Sequence, residues 1–258
     1  MSTVELQVTG PVARLTIKRS EKYNALTQQM WQDIEQYCQT LRENANIRIL
    51  VISAEGDKAF CSGADIQELT DIIRDESRLV KNNHLVQSVQ QTIEQLPFAT
   101  IAAINGLCFG GGMGIALSCD FRIAVDKAKF AITPAKLGLL YSIEDTRRVM
   151  NVIGSARTKE ILFTGKILDA ETAFNWGMVT QICTIDALSE QVEELVESLL
   201  AVSGQSIAGV KTTMGFIEQT NQAAEQEVRA LFNEAFSSRD FKEGAQAFLE
   251  KRTPDFNQ

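Results

Sequence analysis

AAINGLCFGGG, Ala102 to Gly112, is the stretch from which the fold is read. Its first half is a run of small and branched apolar residues and reads as a buried strand, placed at Thr100 to Ile104. Gly106 to Gly112 reads as a tight loop, and Met113 to Ser118 then opens a helix. Gly110-Gly111-Gly112 therefore stands where a strand hands over to a helix start. Glycine admits unusual dihedrals and lets a ligand approach the backbone closely. A helix start offers unpaired N–H groups and the positive end of the dipole. Together these can stabilise an oxyanion; three glycines also serve as a plain tight turn with close helix packing. The GxGxxG spacing and acidic ribose partner of a dinucleotide site are not evident. The surrounding uncharged stretch, Gln95 to Cys119, is long enough for a bilayer. Pro97, Asn105 and five glycines between Gly106 and Gly114 point instead to strand, loop and buried helix.

Upstream, Val4 to Val8 and Val12 to Ile17 alternate around Gly10-Pro11, which reads as a β-hairpin. Thr27 is a plausible N-cap for a helix with Met30, Trp31, Ile34, Tyr37, Cys38 and Leu41 at helical spacing. Ile47 to Ile52 reads as a buried strand, and Asp65 to Leu96 as helical. Downstream, Phe121 to Val125 is a short strand, and the chain after Asp145 is mainly helical. Leu188 to Val202 and Ala223 to Phe236 are amphipathic, and Asp240 to Lys251 forms a last helix before Pro254. Two strands and a helix, then strand–loop–helix units, suggest an α/β protein with a stacked ββα core rather than a doubly wound sheet.

The 258 residues suffice for one large domain with a helical appendage. A net charge of -8 argues against a general nucleic-acid binder. Five cysteines without a close CxxC pair, and the single His84, argue against zinc. The same cysteines fit reduced, cytosolic thiols, and Met1 to Glu5 shows no secretory signal pattern, so the expected location is cytoplasmic.

A second glycine turn, Phe60-Cys61-Ser62-Gly63-Ala64-Asp65-Ile66, also runs into a helix and exposes backbone amides. Cys61 reads as a small buried residue rather than a nucleophile, since nothing nearby in sequence would act as its base.

These segments resemble the crotonase (enoyl-CoA hydratase/isomerase) superfamily. RSEKYNAL (Arg19 to Leu26), FCSGADI, AAINGLCFGGG and SCDFRIA (Ser118 to Ala124) occur in that superfamily's order. Its LTGxxxxAxxAxxxGxV pattern is echoed by FTGKILDAETAFNWGMV (Phe163 to Val179), and FKEGAQAFLEKRTPDF (Phe241 to Phe256) is similar to its tail. The resemblance implies a ββα spiral core over residues 1–195 and a C-terminal helical trimerisation region over 196–258. It implies an acyl-CoA thioester as ligand, with coenzyme A entering as part of the substrate and no separate cofactor or metal. It implies a homotrimer or dimer of trimers. The superfamily's two oxyanion amides map to Ala64 and Gly111, with Gly110, Asp65 and Ile66 beside them. Ala25 and Leu26 would line the pantetheine path, and Lys22 would approach the CoA phosphates. Apolar faces on the C-terminal helices, including Leu195, Val196, Leu199, Phe232, Phe236 and Phe248, are expected to be covered by subunit contacts.

The chain departs from the hydratases at two positions. Typical hydratases carry one glutamate two residues after the glycine triplet, where this chain has Gly114, and another where it has Pro134. Without both carboxylates, hydration loses the groups that hold water and move a proton. ITPAKLGLLYS (Ile132 to Ser142) resembles the matching segment of methylmalonyl-CoA decarboxylase, including Tyr141. That enzyme's histidine position is Ala64 here, and its glutamate after the glycine loop is missing too. Glu144 and Asp145 follow, either as acid/base groups or as first-turn charges of a helix capped by Ser142. The expected function is a decarboxylase (lyase) or isomerase working through a thioester enolate, with Ala64, Gly111, Tyr141 and Glu144 in catalytic roles. The alternative is a noncatalytic acyl-CoA-binding or scaffold subunit. His84 is expected to be an ordinary helical residue.

Overall fold

Strands enter two sheets by turns. In the computed structural model, which describes residues 3–219 and 221–256, they are β1 (Val4–Thr9), β2 (Val12–Ile17), β3 (Ile49–Ala54), β4 (Ala59–Cys61), β5 (Ala99–Ile104), β6 (Leu107–Phe109), β7 (Phe121–Val125), β8 (Lys129–Ala131), β9 (Ile167–Asp169) and β10 (Gln181–Cys183). Met1 and Ser2, the head of the N-terminal stretch read above, lie outside the described residues. The larger sheet has the order β1-β2-β3-β5-β7-β10, the smaller β4-β6-β8-β9. The hairpin β1–β2 is antiparallel, while β2, β3, β5, β7 and β10 run parallel. Thus β3–β4, β5–β6 and β7–β8 each give one strand to each sheet before the chain turns into helix. That is the ββα spiral expected from the sequence.

The helices are α1 (Gln28–Glu43), α2 (Ile66–Ile72), α3 (Glu76–Glu94), α4 (Gly111–Ser118), α5 (Ile143–Thr164), α6 (Ala170–Asn175), α7 (Leu188–Leu200), α8 (Gly204–Ile217), α9 (Glu225–Ala235) and α10 (Arg239–Glu250). Thr27 caps α1 by accepting from the Met30 amide at 3.3 Å. The helical stretch after Asp65 breaks in two, because Asp75 caps a new start by accepting from the Arg78 amide. Helix α5 is interrupted at Gly154, where φ is 76°.

Central strands are buried on both faces, as parallel strands between helical layers must be. On β3, Leu50 and Ile52 join the main core with Phe60, Phe130 and Met30. Ile49 and Val51 face the other way, with Ile101 and Ile123, and are covered by Val192 and Val196 of α7. This corrects one expectation: Val196 is buried, and Leu195 and Leu199 pack against that second cluster, so α7 spends its apolar face within the chain. Phe232, Phe236 and Phe248 are exposed as expected. Helix α8 is pinned to the sheet by Lys211, whose Nζ lies 2.7 Å from Asp120 and donates to the Phe98 carbonyl.

Candidate active site

The site is built first from backbone. The loop Arg19 to Leu26 turns through two left-handed residues, Tyr23 (φ 51°) and Asn24 (φ 54°). Buried Asn24 steadies that turn: its Nδ2 donates to the Glu55 and Ala59 carbonyls, and its Oδ1 accepts from the Arg19 amide. The loop is then stitched to the FCSGADI turn by amide bonds from Ser62 to Tyr23, Leu26 to Gly63 and Asp65 to Leu26. The last two flank Ala64 and leave its own N–H facing away from Leu26. Gly63 has φ 111°, a region that side chains rarely adopt.

The second turn comes from α4. Gly110 precedes it at φ 48°, and its amide donates to the Ala131 carbonyl. The two turns abut: a methyl group on Gly63 would stand 4.0 Å from the Gly111 nitrogen, and one on Gly110 3.6 Å from the Gly63 Cα. Neither the Ala64 nor the Gly111 amide has a hydrogen-bond partner among the described residues. Ala64 is exposed and Gly111 half-exposed, so solvent reaches both. Leu26 and Trp31 pack beneath Gly111, and α4 is held at its far end by buried Arg122, which donates to the Ala116, Cys119 and Met178 carbonyls. Burial lowers the pKa of that guanidinium, but three carbonyl acceptors compensate its charge.

The remaining sequence candidates separate. Ala25 is buried and Lys22 and Ile66 are exposed around the crevice. Asp65 caps α2 by accepting from the Glu68 amide, and its carboxylate pairs with Arg19 at 2.7 Å. The Glu68 amide, then Arg19, hold its pKa below the usual carboxylate value. Cys61 is wholly buried beside Gly112, and burial pushes its thiol up to about 12, which leaves no thiolate for nucleophilic work. His84 is exposed on α3.

The polar groups near residue 114 form a network that sequence reasoning missed. Asp145 is the third residue of α5; its amide donates to the Ser142 cap, and its carboxylate accepts from Ser142, from Gln87 Nε2 at 2.9 Å and from Arg148 at 3.1 Å. Arg148 also donates to Gln90 Oε1 at 2.8 Å and pairs with Glu94. Asp145 is therefore committed to capping and ion pairing, whereas Glu144 is half-buried on the first turn of α5. The Tyr141 hydroxyl is buried with no hydrogen-bond partner among the described residues, while its neighbours Leu139, Leu140 and Ile143 are exposed. Burial, then the Asp145 carboxylate, push the Tyr141 pKa well above its usual value, so the phenol keeps its proton. The available signal for Gln90 was its position between Val86, Val89 and Ile93 on the apolar side of α3.

Residues 7–258 match the enoyl-CoA hydratase/isomerase family model. The chain belongs to the enoyl-CoA hydratase/isomerase family. This crotonase-superfamily enzyme is 31% identical to a crotonyl-CoA hydratase of Syntrophomonas wolfei, over 95% of this chain and 94% of that one. It is 30% identical to a short-chain-enoyl-CoA hydratase of Clostridium acetobutylicum, over 98% of this chain and 96% of that one. Among solved structures, an enoyl-CoA hydratase from Bacillus anthracis superposes with a TM-score of 0.90 at 28% identity, all of both chains being covered. Like other members, the chain is a crotonase-type acyl-CoA enzyme; the relatives' names are mostly those of hydratases.

Proposed function

We propose that this enzyme stabilises a thioester enolate between the Ala64 and Gly111 amides and acts as a decarboxylase or isomerase rather than a hydratase. The observation that carries the reading is at residue 114. No carboxylate stands there, and the side chain of Gln90 fills the space one would need. Pro134 begins a short 3-10 turn and likewise brings no acid. Two unpartnered amides suit an oxygen that gains charge, and each such donor contributes about 3 kcal/mol in a preorganised site.

For a malonyl-type ester, the C2–C3 bond breaks, its electron pair moves into the thioester as an enolate, and carbon dioxide leaves. C2 then takes a proton, for which the neutral Tyr141 phenol is the donor. For an enoyl ester, Glu144 takes a proton from C2 and returns it at C4. Ala25 and Leu26 line the pantetheine path, Asp65 holds the Ala64 turn, and exposed Lys22 and Ile66 flank the CoA moiety. A trimer or dimer of trimers, covering Phe232, Phe236 and Phe248, is the assembly this reading carries. A scaffold subunit that binds acyl-CoA without turnover is favoured only by the lost carboxylates.

Incubation with a panel of enoyl-CoA and malonyl-type CoA esters tests the proposal: turnover of at least one by decarboxylation or double-bond migration is expected. Tyr141→Phe should lower kcat about 100-fold with CoA-ester binding unchanged if the reaction is decarboxylation. Glu144→Gln should do so if it is isomerisation. Full activity of both variants on that substrate overturns the assignment.

A further inference from the structure

Helix α4 carries no charged side chain, and every residue after Gly111 is buried. Its dipole therefore acts through an apolar interior, where charges are felt over longer distances than in water. The helix is also short. Its eight residues span about 12 Å, so the negative end of the dipole stands close behind the positive end at Gly111. Arg122 occupies the negative end. It is 7% exposed and donates to the Cys119 carbonyl at 2.6 Å, the Ala116 carbonyl at 3.3 Å and the Met178 carbonyl at 2.7 Å. These carbonyls take the place of water around the guanidinium, but as dipoles they leave it a cation. Arg122 makes no ion pair among the described residues, and Asp120, the carboxylate near enough to act on it, is paired with Lys211 at 2.7 Å.

We propose that Arg122 is a positioning residue for the oxyanion amide, acting through α4. Its charge offsets the negative end of the helix, so the Gly111 end presents an uncancelled positive potential to a thioester oxygen that gains charge. The effect needs no contact with the substrate. It acts on the enolate more than on the neutral ester, because only the enolate carries a full charge at that oxygen. The inference rests on the proposal that Gly111 faces an enolate, and it adds a source of that stabilisation outside the two turns.

Acetoacetyl-CoA tests it on the full-length protein. This ester loses its C2 proton to solvent, and the enolate left behind is followed by its ultraviolet absorbance. The parent enzyme should bind the ester and raise its ionisation constant above that of the free ester. Arg122→Gln, which removes the charge, should lower the constant of the bound ester about 10-fold, the effect of one charge over about 12 Å in a protein interior. Arg122→Lys keeps a cation with three donors and should stay within about three-fold of the parent, even where its urea midpoint falls as far as that of Arg122→Gln. Equal losses in the two variants, tracking their midpoints, would mean a purely structural role and overturn the proposal. An unchanged constant in Arg122→Gln overturns it too. Should Arg122→Gln not fold, Arg122→Lys decides alone, and a constant about 10-fold below the parent's overturns the proposal. All these outcomes leave the enolate proposal standing. A parent enzyme that does not enhance ionisation of the bound ester overturns both.

Discussion

The two walls of the site are made of different material. On one side, Ala64 and Gly111 offer backbone amides, held by the knitting of residues 19–26 to 61–65 and by packing of α4 on Leu26, Trp31 and Arg122. On the other, the groups are side chains: Gln87, Gln90, Asp145 and Arg148 are hydrogen-bonded across α3 and α5, and the Tyr141 hydroxyl is buried without a partner among the described residues. Of the point substitutions only proline removes a backbone N–H, so the first wall tolerates other changes of side chain while the fold stays. A side-chain wall changes one residue at a time. Here the glycine at 114 leaves room that the side chain of Gln90 takes from another helix, and no carboxylate stands at that position.

The largest effect is expected on the backbone wall. A methyl group on Gly112 would stand 2.7 Å from both the Cβ and the carbonyl oxygen of Cys61, and backbone cannot step aside. Gly112→Ala should cost about 3 kcal/mol in urea unfolding. A loss below about 0.5 kcal/mol would show that the turns are loosely held.

On the side-chain wall, Gly114→Glu meets the far end of Gln90, which is flexible but tied to Arg148. It should cost about 1.5 kcal/mol, and adding Gln90→Ala should recover at least half. Additive losses in the double variant would separate residues 90 and 114.

The smallest effect concerns Asp65, which braces the Ala64 turn. Its folded pKa is depressed, so its contribution is present above the unfolded pKa and is lost as pH falls through the folded one. Asp65→Asn keeps a capping oxygen but loses the Arg19 ion pair. It should be about 1 kcal/mol less stable at pH 7, and the gap should close below about pH 4. A gap independent of pH would mean that the charge is not what braces the turn.

The sequence made the backbone wall legible and the side-chain wall much less so. Glycine turns before helices announce themselves through local dihedrals, and the hairpin, the cap at Thr27 and the cap at Ser142 are likewise local. The three-residue strands β4, β6, β8, β9 and β10 were not marked, because so short a run carries no periodicity and forms only when neighbouring strands supply its hydrogen bonds. The break at Asp75 was masked by continuous helical spacing. Gln90 and Arg148, 58 residues apart, meet only through packing of α3, α4 and α5. Asp145 read equally well as catalyst or cap; three hydrogen-bond donors on its carboxylate give the cap and ion-pair role.

The most direct test of the contrast between the walls is the hydration of crotonyl-CoA by the unmodified enzyme, followed by loss of enoyl absorbance beside a binding measurement on the same ester. Retained amides and missing carboxylates predict that crotonyl-CoA binds while hydration stays at least about 100-fold below that of an ordinary hydratase assayed alongside. Hydration at the hydratase's own rate would contradict the account.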